Sequence, residues 1–497
     1  MTDNQMRSQQ QVKTQKRTKR ELGQFLTPAP IAEFMASLFS ATRSEWRVLD
    51  AGAGTGTLSA ALISRLCELA KPPTRILVTA YELDATLIQQ LRNAYEFTKK
   101  KCEESGILFS ADIVNADFVE CASESIRGDL FSRHSSRFNA AILNPPYRKI
   151  NSNSHSRQLL RAAGIETSNL YAGFLALAIK LLSTSGELVA ITPRSFCNGP
   201  YFRPFRELFL RSMSLRQVHL FESRSAAFSR DAVLQENIIV HAVKSREKPL
   251  SIVLSSSSGE PGSPIDSRDC PYAEVVALGD PASFIHLVTD HSGTKVREQI
   301  SHLSESLPDL GLAVSTGRVV DFRATPFLRF QSNEDTVPLI RPCHFNAGMV
   351  RWPALRERKP CAILDVEPIR ELLVPQGHYV LVKRFTAKEE RRRIVACVYD
   401  PAHVPTARIG FENHLNYFHF DGQGFDRELA KGLATFLNST AVDSYFRHFS
   451  GHTQVNATDL RSLKYPSRSI LISLGAIIGD SALDQIEIDR IVQAEVF

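Results

Sequence analysis

Ala140-Ala141-Ile142-Leu143-Asn144-Pro145-Pro146-Tyr147 is the stretch on which the reading of this chain turns. Four apolar residues read as a buried strand, and they end abruptly in an amide, two prolines and an aromatic ring. Proline has no N–H to continue a strand's hydrogen-bond ladder, so the backbone leaves the sheet at this point. In an open α/β sheet, ligands bind outside the carboxyl ends of the strands. Asn144 and Tyr147 are therefore expected at the rim of a cleft, an amide beside a flat ring, a pair suited to a flat substrate bearing an amine.

Working outward towards the N-terminus, strands alternate with helices. Asp117-Phe118 follow a strand through Ile113-Val114, and a helix is expected over about 86–101. A strand over 76–82 ends on Glu82, and another, Arg47-Val48-Leu49-Asp50, runs into Ala51-Gly52-Ala53-Gly54-Thr55-Gly56 before helical spacing resumes at Leu58. Glycines between a strand and a helix let the backbone approach a ligand closely. Their G-x-G-x-G spacing departs from the dinucleotide fingerprint, and Asp50 would repel a pyrophosphate. An acid before the loop and Glu82 at the next strand end fit S-adenosylmethionine, which carries an ammonium and a sulfonium. A purely structural glycine turn is the alternative. Further upstream, Gly23-Gln24-Phe25-Leu26-Thr27-Pro28 opens the ordered part, with Thr27 placed to cap the next helix and Pro28 in its first turn.

On the C-terminal side, residues 148–168 read as a loop, Leu170 to Leu182 as an apolar helix and Glu187 to Thr192 as a strand. A helix near 205–210 and strands near 215–221 and 236–243 complete the unit. The alternation predicts an α/β fold with a doubly wound, mostly parallel sheet over residues 21–248. Residues 249–268, with their Ser/Gly/Pro-rich core from Ser255 to Pro264, read as a linker. Residues 269–497 lose the βαβ rhythm and read as a separate α+β domain, with strands near 379–385 and 394–399 and helices near 429–438 and 442–449.

With 497 residues the chain is expected to hold two domains rather than one core. No apolar run approaches the roughly 20 residues of a membrane span. No signal peptide is evident, and the eight cysteines form no Cys-x-x-Cys pair. A cytoplasmic protein without a metal site is expected. The net charge of +6 is concentrated in residues 1–20, where six basic residues oppose Asp3 alone. This basic arm is either a solvated tail or a source of extra phosphate contacts.

In its order of motifs, the chain resembles the gamma-class N6-adenine DNA methyltransferases, the TaqI-like group with an N-P-P-Y motif. That group has an F-x-T-P segment, a glycine loop, N-P-P-Y and then a target-recognition domain, and all four occur here in that order. The resemblance implies a class I S-adenosylmethionine-dependent methyltransferase fold. It places Thr27 and Pro28 over the methionine end of the cofactor, and Asp50, Ala51, Gly52, Gly54 and Gly56 at the floor of its site. It assigns the ribose hydroxyls to Glu82 and the adenine amine to Asp117, with Phe118 packing nearby; helix capping is the ordinary alternative for Asp117. The Asn144 side-chain oxygen and the Pro145 carbonyl would accept both hydrogens of the target amine, in a turn completed by Pro146. Tyr147 would stack on an adenine flipped out of the duplex. Phe228 is the match for a second stacking ring, with a core phenylalanine as the alternative.

In the second half, Ser450 to Arg461 resembles the end of recognition domains in type II modification enzymes. Gln454, Asn456 and Arg461 are candidate readers of base edges, with a structural turn as the alternative. Arg148, Lys149, Arg318, Lys383 and Arg384 are further candidates for DNA contact, each with solvated surface charge as its ordinary reading. Pro342-Cys343 and Pro360-Cys361 lie far in sequence from any cofactor motif and read as incidental, so a cytosine-C5 thiol mechanism is not expected. Enzymes acting on glutamine of release factors or on guanine N2 of ribosomal RNA share an N-P-P-Y turn, and a non-catalytic DNA-recognition subunit is a further alternative. The expected partners are double-stranded DNA and a separately encoded restriction endonuclease for the same site.

Overall fold

The computed structural model describes residues 26–497 apart from 41, 129–137, 222–235, 261, 277–279, 281–282, 288–295, 297, 301, 355–357, 387–389, 450–453 and 480–482. The basic arm and Phe228 lie outside the described residues. The chain divides into two compact units, residues 1–289 and 290–497.

The first unit begins with α1 (Ala29–Ser37), followed by β1 (Glu45–Ala51), α2 (Thr57–Cys67), β2 (Arg75–Tyr81), α3 (Ala85–Glu104), β3 (Leu108–Val114), α4 (Phe118–Gly128) and β4 (Phe138–Leu143). After the Asn144 turn come α5 (His155–Ala162), α6 (Leu170–Leu181), β5 (Leu182–Pro193), α7 (Arg203–Ser212), β6 (Met213–Phe221), β7 (Asn237–Lys244), β8 (Ser251–Ser257) and β9 (Asp266–Pro271). The strands form one sheet in the order β3-β2-β1-β4-β5-β7-β6-β8-β9. From β3 to β5 every pairing is parallel, and β7 runs antiparallel to both its neighbours. This is the doubly wound, mostly parallel sheet of the class I methyltransferase fold.

Strands buried on both faces read as continuous apolar runs, and β4 shows why. Ala141 and Leu143 enter one core while Ala140 and Ile142 enter the core on the opposite face. The chain order reverses between β1 and β4, which lie side by side. Their carboxyl ends open into one crevice, the place where doubly wound sheets bind ligands.

The segment entering α1 is fastened to the sheet. Ile31 and Met35 are buried, each contributing about 2 kcal/mol by removal from water. At the far end of the helix, Glu187 on β5 accepts hydrogen bonds from the Ser40 amide at 3.0 Å and from the Ser40 hydroxyl, Arg43 and His241. Burial opposes its charge, but the His241 and Ser40 bonds outweigh it and hold the Glu187 carboxyl down at about 2.

Two expectations are corrected here. The stretch 249–268 is not a linker: β8 pairs with β6 and β9 with β8, so it extends the first sheet. Its serines suggested a boundary, yet Ser255 and Ser257 are buried, where their hydroxyls lie 3.0 Å from the two ring nitrogens of His219. Nor is 148–168 all loop, because α5 forms there, capped by Ser154 and braced by Arg157 and Arg161 against Glu166.

The second unit is α+β, as expected. It holds a six-stranded sheet that includes Ala313–Thr316, Leu415–His419, Tyr379–Lys383 and Ala396–Tyr399, and a separate five-stranded sheet. Helices Arg427–Leu437 and Arg468–Ile478 cross at paired glycines. A Cβ on Gly432 would stand 1.8 Å from the Leu471 carbonyl oxygen, and one on Gly475 1.8 Å from that of Glu428. Among the described residues, no helix is long and apolar enough to cross a membrane.

Candidate active site

The crevice holds a cavity lined by Leu26, Thr27, Gly52 to Thr55, Glu82, Leu83, Asp117, Phe118, Asn144, Pro146 and Phe174, among others. The glycine loop is strapped to the end of β2. The amides of Gly52 and Ala53 both donate to the Tyr81 carbonyl at 2.9 Å, and the Gly54 amide donates to Glu82 Oε2 at 2.7 Å. Three successive amides are thus directed at β2 and are not left open to cradle a phosphate. Gly56 starts α2 at φ +80°, where a Cβ would meet Leu91 at 2.7 Å, so the turn needs glycine there.

Glu82 is 3% exposed, and its other oxygen accepts from the Asp84 amide at 2.7 Å. Burial pushes its carboxyl above the usual range, with these amide bonds pulling the other way. Asp117 takes the ordinary role of a helix cap, with Oδ1 accepting from the Val119 amide at 2.7 Å at the start of α4, and it also lines the cavity. Phe118 packs against Tyr81 and Phe174, with ring centroids 5.2 and 5.1 Å apart.

At the lip, the Asn144 amide is held from two sides. Its Nδ2 donates to Thr27 Oγ1 at 2.9 Å, and its Oδ1 accepts from the Tyr147 hydroxyl at 3.1 Å. The same hydroxyl is 3.2 Å from the Ile191 carbonyl, and the Tyr147 ring meets Tyr171 edge-on at 6.1 Å. Burial raises the Tyr147 phenol far above its usual range, so it stays protonated as a donor.

Residues 63–228 match the Eco57I restriction-modification methylase family. Over 473 residues the chain is 43% identical to the type II methyltransferase M.PstI of Providencia stuartii, covering 95% of this chain and 92% of that one. It is 45% identical over 480 residues to the type II methyltransferase M.BsuBI of Bacillus subtilis, covering 95% and 93%. The chain belongs to the type II methyltransferases.

The cofactor of such a methyltransferase is S-adenosylmethionine, and the cavity fits it. Two carboxylates, Glu82 and Asp117, face a space whose other walls are largely apolar, which suits a nucleoside joined to a cationic group and not a polyphosphate. Glu82, Asp117, Phe118, Thr27 and the Gly52–Thr55 backbone line that space.

Several expected members of this methyltransferase site sit elsewhere. Asp50 is fully buried behind the loop, because strand alternation turns it towards α2 and α3 while Leu49 and Ala51 face the other core. Neither carboxylate oxygen has a well-formed hydrogen bond. Burial lifts its pKa to about 7, partly opposed by the nearby Ser59 hydroxyl and amide. The Ser59 hydroxyl is itself engaged with Gly56 and Tyr95. Asp50, Ala51 and Gly56 therefore support the floor from beneath and do not form its surface. Thr27 does not cap α1. Pro28 occupies the N-cap position, which frees the Thr27 hydroxyl for Asn144.

Arg148 lines the cofactor cavity, as does Ser156 on α5, while Lys149 is exposed. In the second unit, Arg384 and Gln454 come together: Phe385 pairs with Gln454, and the Val455 amide donates to the Arg384 carbonyl at 2.7 Å. Lys383 lies over the Phe345 ring, and Arg318 is exposed and donates to the Glu371 carbonyl. Arg461 is exposed and donates to the Val314 carbonyl. Asn456 takes its structural alternative, sharing a reciprocal helix cap with Asp459. Reading the sequence missed Leu26, Leu83 and Phe174 as cavity walls. Leu83 carried a signal, an apolar residue directly after a strand-ending acid and 60% exposed. Phe174 carried none, being one of many apolar residues in a helix whose only charge is Lys180.

Proposed function

We propose that this type II methyltransferase transfers a methyl group to N6 of adenine in a specific sequence of double-stranded DNA, protecting it from a separately encoded restriction endonuclease. The observation that carries this reading is the Asn144-Pro145-Pro146-Tyr147 turn at the lip of the cofactor cavity, with the Asn144 amide held between two hydroxyls. The cofactor supplies an electrophilic methyl group. An exocyclic adenine amine is a poor nucleophile because its lone pair is delocalised into the ring. Asn144 Oδ1 and the Pro145 carbonyl accept the two amine hydrogens and draw the nitrogen towards tetrahedral geometry, releasing the lone pair for attack. Positioning and hydrogen bonding carry the catalysis.

The base reaches this cleft by leaving the duplex, and the Tyr147 ring offers it a stacking surface worth about 1–3 kcal/mol. Residues 290–497 serve as the target-recognition unit, with Arg318, Lys383, Arg384, Gln454 and Arg461 at the DNA. Membership in the type II methyltransferases favours DNA over a protein glutamine or ribosomal RNA. The test is incubation of the purified protein with tritiated S-adenosylmethionine and DNA, followed by nucleoside analysis. Label in N6-methyladenine is expected; label confined to a methylcytosine, or to protein or RNA, would refute the reading.

A further inference from the structure

We propose that Thr27 is a positioning residue for the methyl transfer, acting through Asn144 by anchoring its carboxamide. The inference rests on the assignment of Asn144 as acceptor for the target amine. Thr27 is 9% exposed and lies on the chain just before α1, 117 residues from Asn144, yet its Oγ1 sits 2.9 Å from Asn144 Nδ2. It is released for this contact because Pro28, and not Thr27, stands at the helix N-cap.

A carboxamide turns about its last side-chain bond between two orientations that exchange a donor for an acceptor. The hydroxyls of Thr27 and Tyr147 can each serve the amide in either sense, since both donate and accept. Only with Nδ2 on Thr27 does Oδ1 lie beside the Tyr147 ring, where a stacked base would bring its amine. The opposite sense would set an NH2 against an NH2, two donors with no acceptor. Thr27 therefore gives Nδ2 a partner in the one orientation that presents an acceptor to the substrate. Donation by Nδ2 also polarises the amide and strengthens Oδ1 as an acceptor. α1 and its Ser40–Glu187 fastening hold the N-terminal segment on the sheet, so the anchor is set by the fold and not by the ligand.

The test uses Thr27→Val, which keeps the shape and loses the acceptor, and Thr27→Ser, which keeps it, both in the full chain. Two quantities are measured: the single-turnover methylation rate at saturating S-adenosylmethionine and DNA, and the calorimetric Kd of S-adenosylhomocysteine. Loss of one neutral hydrogen bond predicts a rate at saturating cofactor about 2- to 12-fold lower in Thr27→Val, beyond any change in Kd that follows from its place in the cavity wall, and recovery in Thr27→Ser. Thr27→Ala repeats the measurement if valine packs poorly, with the same expectation. An unchanged single-turnover rate in Thr27→Val overturns the proposal, and so does a loss that lies wholly in cofactor affinity or that serine fails to restore. Asn144→Ala run alongside separates the two levels. If it is inactive while Thr27→Val is normal, only the anchoring role fails; if it keeps full activity, the reading of Asn144 fails with it.

Discussion

Replacing Glu82 by glutamine should weaken cofactor binding while leaving the fold almost untouched. The carboxylate accepts two short backbone bonds, from Gly54 at one oxygen and from Asp84 at the other, both at 2.7 Å. Glutamine has nearly the same shape, but one of its two ends is an NH2. Whichever way the amide turns, a donor then faces a backbone N–H. Hydrogen bonds to a charged group contribute about 1.5–3 kcal/mol, and the loss falls on the loop that lines the cavity or on the turn into α3. The carboxylate that the family resemblance assigns to the ribose hydroxyls is lost as well. The Kd for S-adenosylhomocysteine, measured by titration calorimetry, should rise about 10- to 100-fold.

Stability responds differently. Burial pushes the Glu82 carboxyl upward, so its charge opposes folding. A neutral amide removes that cost while surrendering a hydrogen bond, and the two effects oppose each other in the ligand-free protein. The thermal midpoint without ligand should therefore move little. Glu82→Gln with full cofactor affinity would refute the assigned role, and a collapse of the ligand-free midpoint would show that Glu82 serves the fold instead.

Asn144→Ala should lower the methylation rate about 100- to 1,000-fold, the scale for losing one transition-state hydrogen-bonding group, with cofactor affinity retained by calorimetry. Gly432→Ala should force apart the helices Arg427–Leu437 and Arg468–Ile478, where the added Cβ meets a carbonyl at 1.8 Å. Overpacking of this kind costs about 3 kcal/mol, readable as a lower urea midpoint. His219 is buried between two serine hydroxyls, and burial depresses its pKa from 6.5 to about 4. Between those values only the unfolded chain takes up the proton, so stability falls as pH drops through that window and levels off below about 4, losing about 3 kcal/mol in full. Asp50, raised to about 7, works in the opposite sense over the same range. The His219 contribution is therefore read as the difference between wild type and His219→Asn in urea unfolding at pH 7 and pH 4.5: wild type should lose more stability, or gain less, than the variant.

The sequence alone determined the Asn144–Tyr147 turn and the sheet that carries it. Two prolines end a strand wherever they occur, and an apolar run such as Ala140–Leu143 must be covered on both faces. The glycine loop and the strand-ending Glu82 were legible for the same local reason: their chemistry follows from their neighbours along the chain. Tertiary structure decided what depends on which way a side chain turns. Asp50 reads as part of a ligand floor but faces α2 and α3, because strand pairing sets its parity. Ser255 and Ser257 read as linker residues, yet they are buried against His219 once β8 joins the sheet. Asn456 reads as a base reader and is held in its own helix cap. Thr27 reads as a helix cap and instead meets Asn144 across 117 residues of chain. That contact exists only because the α1 segment is fastened over the crevice, and no local pattern in the sequence records where a distant hydroxyl will be brought to rest.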